Sequence, residues 1–318
     1  MPLSAEDEGL HPAGDDGDWQ ESAYLAWRDA ASGLGGNHRI GNELNRGTAN
    51  LWCGVYHEDG TRFRHNDEGL SLLRLDGHGM AAGPQRLVLD DGGLRFVLEG
   101  EGCRVDLRVE DDEATLAVST PRTFEGSKGP AGAIFSSNFH VFCRVRGTVT
   151  LDGRTAEVDA PAWRDHSWGV RRWDSFLTSR SFGGTFGPTH SFRYGSMVGA
   201  NGSFLRQGSL VRHGEPVDLD SVEMVVGVDD DGLRCPSAEV HYRGADGDTT
   251  TVRIRTIGGM LGVTGTRFGW ESVGDVWVDG EPGGWGFLEV NNNPRNGSHP
   301  PAFTLAGALT NGIIRTAR

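Results

Sequence analysis

The chain has 318 residues, of which 36% are hydrophobic, and a formal net charge of −14 at pH 7. This length fits two ordinary domains or one large β domain, and the acidic balance argues against nucleic acid or anionic membranes as partners, since both attract basic surfaces. Cys53, Cys103, Cys143 and Cys235 are far apart and form no CxxC pair, so we interpret them as free, buried thiols.

The first 17 residues are acidic and rich in glycine, proline and alanine. Such a segment has too little apolar surface to offset the entropy of ordering it, and we predict a disordered tail over residues 1–17. The N-terminus lacks the basic and apolar regions of a signal peptide, and no run of about 18 apolar residues occurs. The sequence therefore predicts a cytoplasmic protein without a membrane span.

A short amphipathic helix is predicted over residues 18–33. Asp18 offers an N-cap oxygen, Glu21 follows three residues later, and Tyr24 and Trp27 continue with helical spacing.

From Asn50 onward the hydrophobic period changes to two, which is typical of strands. Seven Asp-Gly pairs lie between the predicted strands, and this dipeptide supplies the positive φ values of two-residue hairpin turns. Antiparallel strands must close or stack to protect their edges, so we predict an all-β fold of barrels or sandwiches. The predicted strands are Leu51–Tyr56, Leu70–Leu75, Arg86–Leu89, Leu94–Leu98, Val105–Val109, Thr115–Val118, Phe139–Leu151, Ser203–Arg212, Ser221–Val228, Ala238–Tyr242, Thr250–Ile257, Asp275–Val278 and Trp285–Val290, and the Asp-Gly pairs begin at Asp59, Asp76, Asp91, Asp152, Asp231, Asp246 and Asp279.

A stretch rich in Trp and Arg and without periodicity, Asp159 to Trp173, divides the chain into two strand-rich halves of nearly equal length. We therefore predict two domains, residues 18–162 and 163–318, with a junction at this segment.

The same segment concentrates acidic, imidazole, indole and guanidinium groups. On a strand, Asp165 shares a face with Ser167, and His166 shares the opposite face with Trp168. Asp165 or protonated His166 is a candidate catalytic acid, and the indoles could stabilise a developing cation. A purely structural role at a domain junction is an equally weighted alternative. The candidate substrate-binding residues of this segment are Trp163, Trp168, Trp173 and Arg171.

Three further residues are weaker candidates, His140 and Glu289 for substrate binding and Tyr194 for catalysis. His140 lies three residues before Cys143, but this pair lacks further ligands, so no metal site is predicted and a structural role is favoured. Tyr194 could add a polar catalytic group to the same cavity, or lie at a solvated strand end. Glu289 could be a buried acid with a raised pKa, although a solvent-facing position is favoured.

The run Arg164-Asp-His-Ser-Trp-Gly169, which follows Val145-Arg-Gly-Thr-Val-Thr-Leu-Asp-Gly153, resembles the signature of hydroxyneurosporene-synthase-like proteins. That group includes carotenoid 1,2-hydratases and fungal Diels–Alderases, and the resemblance implies two lipocalin-like β-barrel domains. It also implies that His166 and Trp168 match the family's motif residues and that Tyr194 is a counterpart of the hydratase tyrosine. The residues after Tyr194 supply no acid, which departs from the hydratase pattern.

Three functions follow as hypotheses. The first is a cofactor-independent lyase or isomerase, of the hydratase or cyclase type, which uses acid–base chemistry on an isoprenoid, steroid-like or polyketide substrate in an apolar cavity near the domain junction. The second is a pericyclase that orients a polyene. The third is a binding protein for a hydrophobic small molecule. No cofactor is expected, and homo-oligomerisation is left open.

Overall fold

A computed structural model of the chain describes residues 9–73, 78–90, 93–110, 122–125, 137–230, 232–264, 267–293 and 309–315. Across these ranges the regular structure is almost entirely β-strand, and the helical segments are two short 3-10 turns, Leu44–Arg46 and Trp173–Ser175. The all-β prediction is confirmed. No helix in these ranges is long and apolar enough to cross a membrane.

The strands form two antiparallel sheets. In chain order they are β1 (Trp19–Asp29), β2 (Leu34–Glu43), β3 (Thr48–His57), β4 (Thr61–Ser71), β5 (His78–Ala82), β6 (Gln85–Asp90), β7 (Gly93–Gly100), β8 (Cys103–Glu110), β9 (Arg122–Glu125), β10 (Ser137–Leu151), β11 (Arg154–Val170), β12 (Phe176–Phe186), β13 (Ser191–Gly199), β14 (Phe204–Arg212), β15 (Glu215–Pro216), β16 (Leu219–Gly227), β17 (Ser237–Gly244), β18 (Thr249–Thr264), β19 (Arg267–Val278), β20 (Glu281–Asn292) and β21 (Gly312–Arg315). The first sheet has the order β21-β4-β3-β2-β1-β11-β10-β8-β7-β6-β5, and the second has the order β15-β14-β13-β12-β20-β19-β18-β17-β16, with β9 paired to β14.

Each sheet has its own apolar core. The first sheet curls until β5 packs against β2 and β3, and it encloses a core that includes Trp27, Leu51 and Phe96. The second core includes Tyr194 and Tyr242 and lies on one face of the second sheet. A third apolar cluster joins the sheets where β1, β2 and β3 pack against β18, β19 and β20. The central strands are therefore covered on both faces.

The predicted N-terminal helix is wrong. The segment forms β1 and the start of β2, a hairpin whose β1 residues are nearly all buried. Tyr24 lies beside the intersheet cluster, whereas Trp27 points into the first core. A strand buried on both faces carries apolar residues at odd and even positions, so it loses the alternation that identifies strands.

The Asp-Gly turns are as predicted where both residues have positive φ values. Asp152 (φ 52°) and Gly153 (φ 78°) connect β10 to β11, and Asp279 (φ 51°) and Gly280 (φ 92°) connect β19 to β20. The pairs at Asp59 and Asp246 also lie between paired strands, but there only the glycine has a positive φ. Three features lie outside the described residues: the pairs at Asp76 and Asp91, the residue Asp231, and the predicted strand Thr115–Val118.

The chain passes from one sheet to the other after the Trp-rich segment rather than before it. β11, which carries Trp163 and His166, is a central strand of the first sheet and pairs with β1 and β10. Apart from β9, which pairs with β14, the strands of the second sheet begin at β12, after the 3-10 turn Trp173–Ser175. A division into two domains remains our proposal, with the change of sheet between Val170 and Phe176.

Candidate active site between the two sheets

The alternation of side chains along β11 separates the motif residues onto two faces. Asp165 lies on the face toward the second sheet, where it accepts a hydrogen bond from Ser167 Oγ (2.7 Å) and contacts His140 Nε2 (2.5 Å). His166 and Trp168 lie on the opposite face, with ring centroids 5.4 Å apart. The two neighbouring residues first predicted as acids therefore lie in different environments.

A carboxyl pair lies on the second sheet, facing the first. Glu271 on β19 is directly opposite Glu289 on β20. Arg267 Nη2 lies 2.9 Å from Glu271 Oε1 and 3.4 Å from Glu289 Oε1, and Asn291 donates a further hydrogen bond to Glu289. Burial and the neighbouring charge of Glu289 raise the pKa of Glu271 to about 8, despite the opposing effect of Arg267. At neutral pH Glu271 is accordingly a candidate proton donor.

Several polar atoms facing this carboxyl pair are buried without a partner. Glu271 Oε2, the Tyr24 hydroxyl, the Trp52 indole nitrogen, and Nε and Nη1 of Arg267 make no hydrogen bond with any described residue. Burial, followed by the charges of Glu271 and Glu289, raises the pKa of Tyr24 well above its usual value, so the phenol stays protonated. A buried polar group without a partner costs roughly 1–3 kcal/mol. The site is therefore suited to a ligand with polar groups of its own.

Indole and guanidinium groups form the side of this site nearest β2 and β3. The Trp173 ring centroid lies 5.2–5.4 Å from three guanidinium carbons, the Cζ atoms of Arg39, Arg171 and Arg267. The guanidinium carbon of Arg39 also lies 4.2 Å from the ring centroid of Trp52. Burial, with the charges of Arg171 and Arg267, holds the pKa of Arg39 well below its usual value. Such an environment disfavours a free carbocation and favours a carbonyl or anionic oxygen.

A second polar group, around His140, borders the same face. Arg193 Nη2 lies 2.7 Å from His140 Nδ1, which can only accept this hydrogen bond, so Nε2 carries the proton shared with Asp165. Burial and the charge of Arg193 lower the pKa of His140. Burial opposes ionisation of Asp165, but His140, Ser167 and Arg171 outweigh it and hold its pKa below the usual value. Asp165 is therefore an ionised acceptor, less suited to proton donation than Glu271.

The structure brings most of the sequence-predicted site residues together on the intersheet face. Asp165, His140, Trp163, Arg171, Trp173 and Glu289 lie there, and Trp163 packs between His140 and Phe287 (5.1 and 5.3 Å between ring centroids).

The other three candidates lie elsewhere. His166 and Trp168 are on the far face of β11, because neighbouring strand residues point in opposite directions. Tyr194 packs in the second core with Phe182 and Phe192, whereas its neighbour Arg193 reaches the intersheet face. The structure therefore does not bring the predicted catalytic residues Asp165, His166 and Tyr194 to one site. Glu289, for which a solvent-facing position was favoured, lies beside Arg267 with 27% of its side chain exposed.

Sequence reasoning missed at least five residues of the site: Tyr24, Arg39, Trp52, Arg267 and Glu271. The available signal was weak and consisted of charged residues inside otherwise apolar strands, such as Glu271 in Gly-Trp-Glu-Ser-Val. A strand buried on both faces has no wet side, so an internal carboxylate there indicates a site or an ion pair.

A cavity of about 180 Å³ lies beside the intersheet face, lined by residues that include Tyr56, Arg62, Ile257 and Trp270. The Tyr56 hydroxyl donates to Asn37 and lies 3.4 Å from the backbone oxygen of Glu271. Tyr56 therefore borders both the cavity and the polar site.

Comparison with solved structures gives proteins of the same fold at low sequence identity. An AttH candidate from Nitrosomonas europaea is 14% identical, with a TM-score of 0.63 over 92% of this chain and 98% of that chain. Kievitone hydratase from Nectria haematococca is 10% identical (TM-score 0.58, 86% and 88% covered), and CghA with Sch210972 is 12% identical (TM-score 0.52, 86% and 89% covered). The predicted resemblance in fold to the hydratase-like lipocalin group is confirmed.

Comparison with curated proteins gives no significant match. The profile of one protein family does match, over residues 4–294, which include every strand except β21 and every residue of the site described above. The chain therefore belongs to the family described as domain of unknown function DUF7064.

Proposed function

We propose that this protein is a lyase or isomerase, of the hydratase or cyclase type, that acts on a hydrophobic substrate held between the two sheets. The observation that carries the proposal is the buried pair formed by Glu271, with its raised pKa and a free carboxyl oxygen, and the unpartnered hydroxyl of Tyr24. Perturbed acids beside unsatisfied donors are typical of catalytic sites.

The proposed substrate is an isoprenoid, steroid-like or polyketide molecule with a conjugated carbonyl group. Trp52, Trp163 and Trp173 offer aromatic surface to its hydrocarbon part. The Tyr24 hydroxyl and the free N–H groups of Arg267 are donors for its oxygen. This substrate class differs from a simple alkene, whose cation would form beside several guanidinium groups.

The proposed reaction needs one proton donor and one oxyanion site. Water, or an internal carbon nucleophile, adds to the β-carbon of the conjugated system, and negative charge develops on the carbonyl oxygen facing Tyr24 and Arg267. Glu271 then gives its proton to the α-carbon, and the proton lost by the attacking water, or by the carbon nucleophile in ring closure, restores the acid. The net change is addition of water, or ring closure without change in mass.

Proteins of the same fold support this class of reaction. One of the similar structures is a kievitone hydratase, and another is CghA with Sch210972 bound. At 10–12% identity the likeness extends to the fold alone, so the chemistry is argued from Glu271 and Tyr24.

The test uses purified protein and a panel of hydrophobic enones and polyenones in H₂¹⁸O and in D₂O. We expect a product that carries ¹⁸O and deuterium for hydration, or an isomer of unchanged mass for cyclisation. The Glu271→Gln variant is expected to lose 10²–10⁴-fold in rate, roughly the contribution of general acid catalysis. Glu223→Gln, a change of an exposed glutamate in the same sheet, is the matched control. Equal rates for wild type and Glu271→Gln would exclude Glu271 as the acid.

A pericyclase is the second candidate, because the unpartnered donors of Tyr24, Trp52 and Arg267 could polarise a carbonyl without any proton transfer. In that case Glu271→Gln retains its rate, while Tyr24→Phe loses activity. Retention of a substrate from the panel, with no product from wild type, would instead identify a binding protein.

A further inference from the structure

A second cluster of functional groups lies on the opposite face of β11 from Asp165. His166 Nε2 lies 3.0 Å from Glu21 Oε1, and His11 Nδ1 lies 2.7 Å from the same oxygen. The three side chains come from the segment before β1, from β1 and from β11. His166 follows Glu21 by 145 residues, so no local spacing of ligands in the sequence indicates the cluster.

We propose that His11, Glu21 and His166 form a binding site for a divalent transition-metal ion of the Zn²⁺ type. One ligand atom from each residue lies within 4.8 Å of the other two. Zn²⁺ binds histidine nitrogen and carboxylate oxygen at about 2.0–2.2 Å, which places tetrahedral ligand atoms about 3.3 Å apart. The contacts of His166 and His11 with Glu21 Oε1, at 3.0 and 2.7 Å, therefore need to open by about 0.3 and 0.6 Å, while the two histidine nitrogens, within 4.8 Å of each other, need to lie at a similar separation.

The surroundings hold the three groups in place. Glu21 is fully buried, and its two carboxylate oxygens also accept hydrogen bonds from the backbone N–H of His11 (3.1 and 3.2 Å). The His11 ring stacks on Trp168 with 3.7 Å between centroids and 6° between planes, and Phe139 packs edge-on against His166 at 5.5 Å. Orienting contacts of this kind limit the loss of ligand freedom on metal binding.

The charge of the cluster also suits a cation. Every hydrogen bond of the Glu21 carboxylate among the described residues is with one of the two histidines. A divalent ion between these three groups would place a positive charge beside the buried carboxylate and use imidazole nitrogens, which are common ligands of such ions. His11 is the most exposed ligand, with 18% of its side chain accessible, so the ion enters from the N-terminal segment.

The site lies apart from the proposed catalytic acid. Glu271 on the second sheet and Tyr24 on the first face each other between the sheets, whereas His166 belongs to the face of β11 that borders the first core. Binding of the ion would tie residues 9–17 to the first sheet. We expect the ion to take no direct part in proton transfer at Glu271.

The experiment measures uptake of Zn²⁺ and Co²⁺ by full-length, untagged protein after chelation and dialysis. We expect one equivalent of Zn²⁺ by calorimetry and the intense visible absorption of four-coordinate Co²⁺. His11→Ala, which changes a residue outside the sheets, and the isosteric Glu21→Gln are each expected to weaken binding at least tenfold. His241→Ala removes an exposed histidine that also contacts a glutamate, and it serves as the control.

Two results would overturn the proposal. If wild-type protein takes up less than half an equivalent of either ion, the three residues form only a hydrogen-bonded His–Glu–His contact and no metal site. Binding that persists unchanged in both His11→Ala and Glu21→Gln would place the ion elsewhere. Far-ultraviolet circular dichroism of each variant checks that the sheets are intact before the titration.

Discussion

The titration of Glu271 predicts an unusual dependence of stability on pH. The pKa of this carboxyl is about 8 in the folded protein, against an ordinary value of 4.5. Below pH 4.5 it is protonated in both the folded and the unfolded state. Between these two values the folded protein keeps a proton that the unfolded chain releases, so the free energy of unfolding falls as the pH rises. The loss is about 1.4 kcal/mol per pH unit, or up to roughly 5 kcal/mol over the whole interval.

Replacing Glu271 with glutamine removes this titration while keeping the shape of the side chain and an acceptor for Arg267. We expect the stability of Glu271→Gln relative to wild type to rise steadily from pH 5 to pH 8 and then to level off. The assay is urea denaturation at unit pH intervals from pH 5 to pH 9, with unfolding monitored by tryptophan fluorescence. Glu223→Gln changes an exposed glutamate and should run parallel to wild type. Parallel curves for wild type and Glu271→Gln would refute a protonated Glu271 in the folded protein.

Three further predictions concern single residues. Tyr24→Phe removes a buried hydroxyl that has no partner, so the free energy of unfolding should stay the same or rise by up to about 1–3 kcal/mol while turnover falls; a clear loss of stability in thermal denaturation would contradict this. Trp27→Ala empties a fully buried position and removes a hydrogen bond to His38 (3.1 Å), with an expected cost of about 3–5 kcal/mol in urea denaturation. Gly280→Ala adds a methyl group to open space at φ 92°, so conformational strain alone should cost about 1 kcal/mol; an unchanged melting temperature would show that the turn relaxes.

The turns and the strands between them could be predicted from the sequence because their cause is local. Asp152 and Asp279 adopt positive φ values where Asp-Gly predicts them, since the turn needs only the two residues that form it. On β8 the alternation of exposed and buried residues is complete, and this strand was predicted. Strands with one solvent-exposed face keep a hydrophobic period of two residues, and the all-β class could be predicted from these strands.

β1 shows where local reasoning fails. Its residues Trp19 to Asp29 are buried on both faces, one against the first core and the other against the second sheet. Without a wet face the pattern has no alternation, and the spacing of Tyr24 and Trp27 then matches a helix by coincidence. The error arises from the stacking of the sheets, which no short window of sequence contains.

The candidate site also combines features that local sequence sets with features that only tertiary packing sets. The sequence alone determined that Asp165 and His166 point in opposite directions, because a strand has a side-chain period of two. Only the tertiary structure decided that Asp165 faces Arg193 and His140, that His166 faces Glu21, and that Glu271 is the acid with the raised pKa. Burial and charge at Glu271 come from residues on other strands, and those neighbours exist only once the two sheets have packed together.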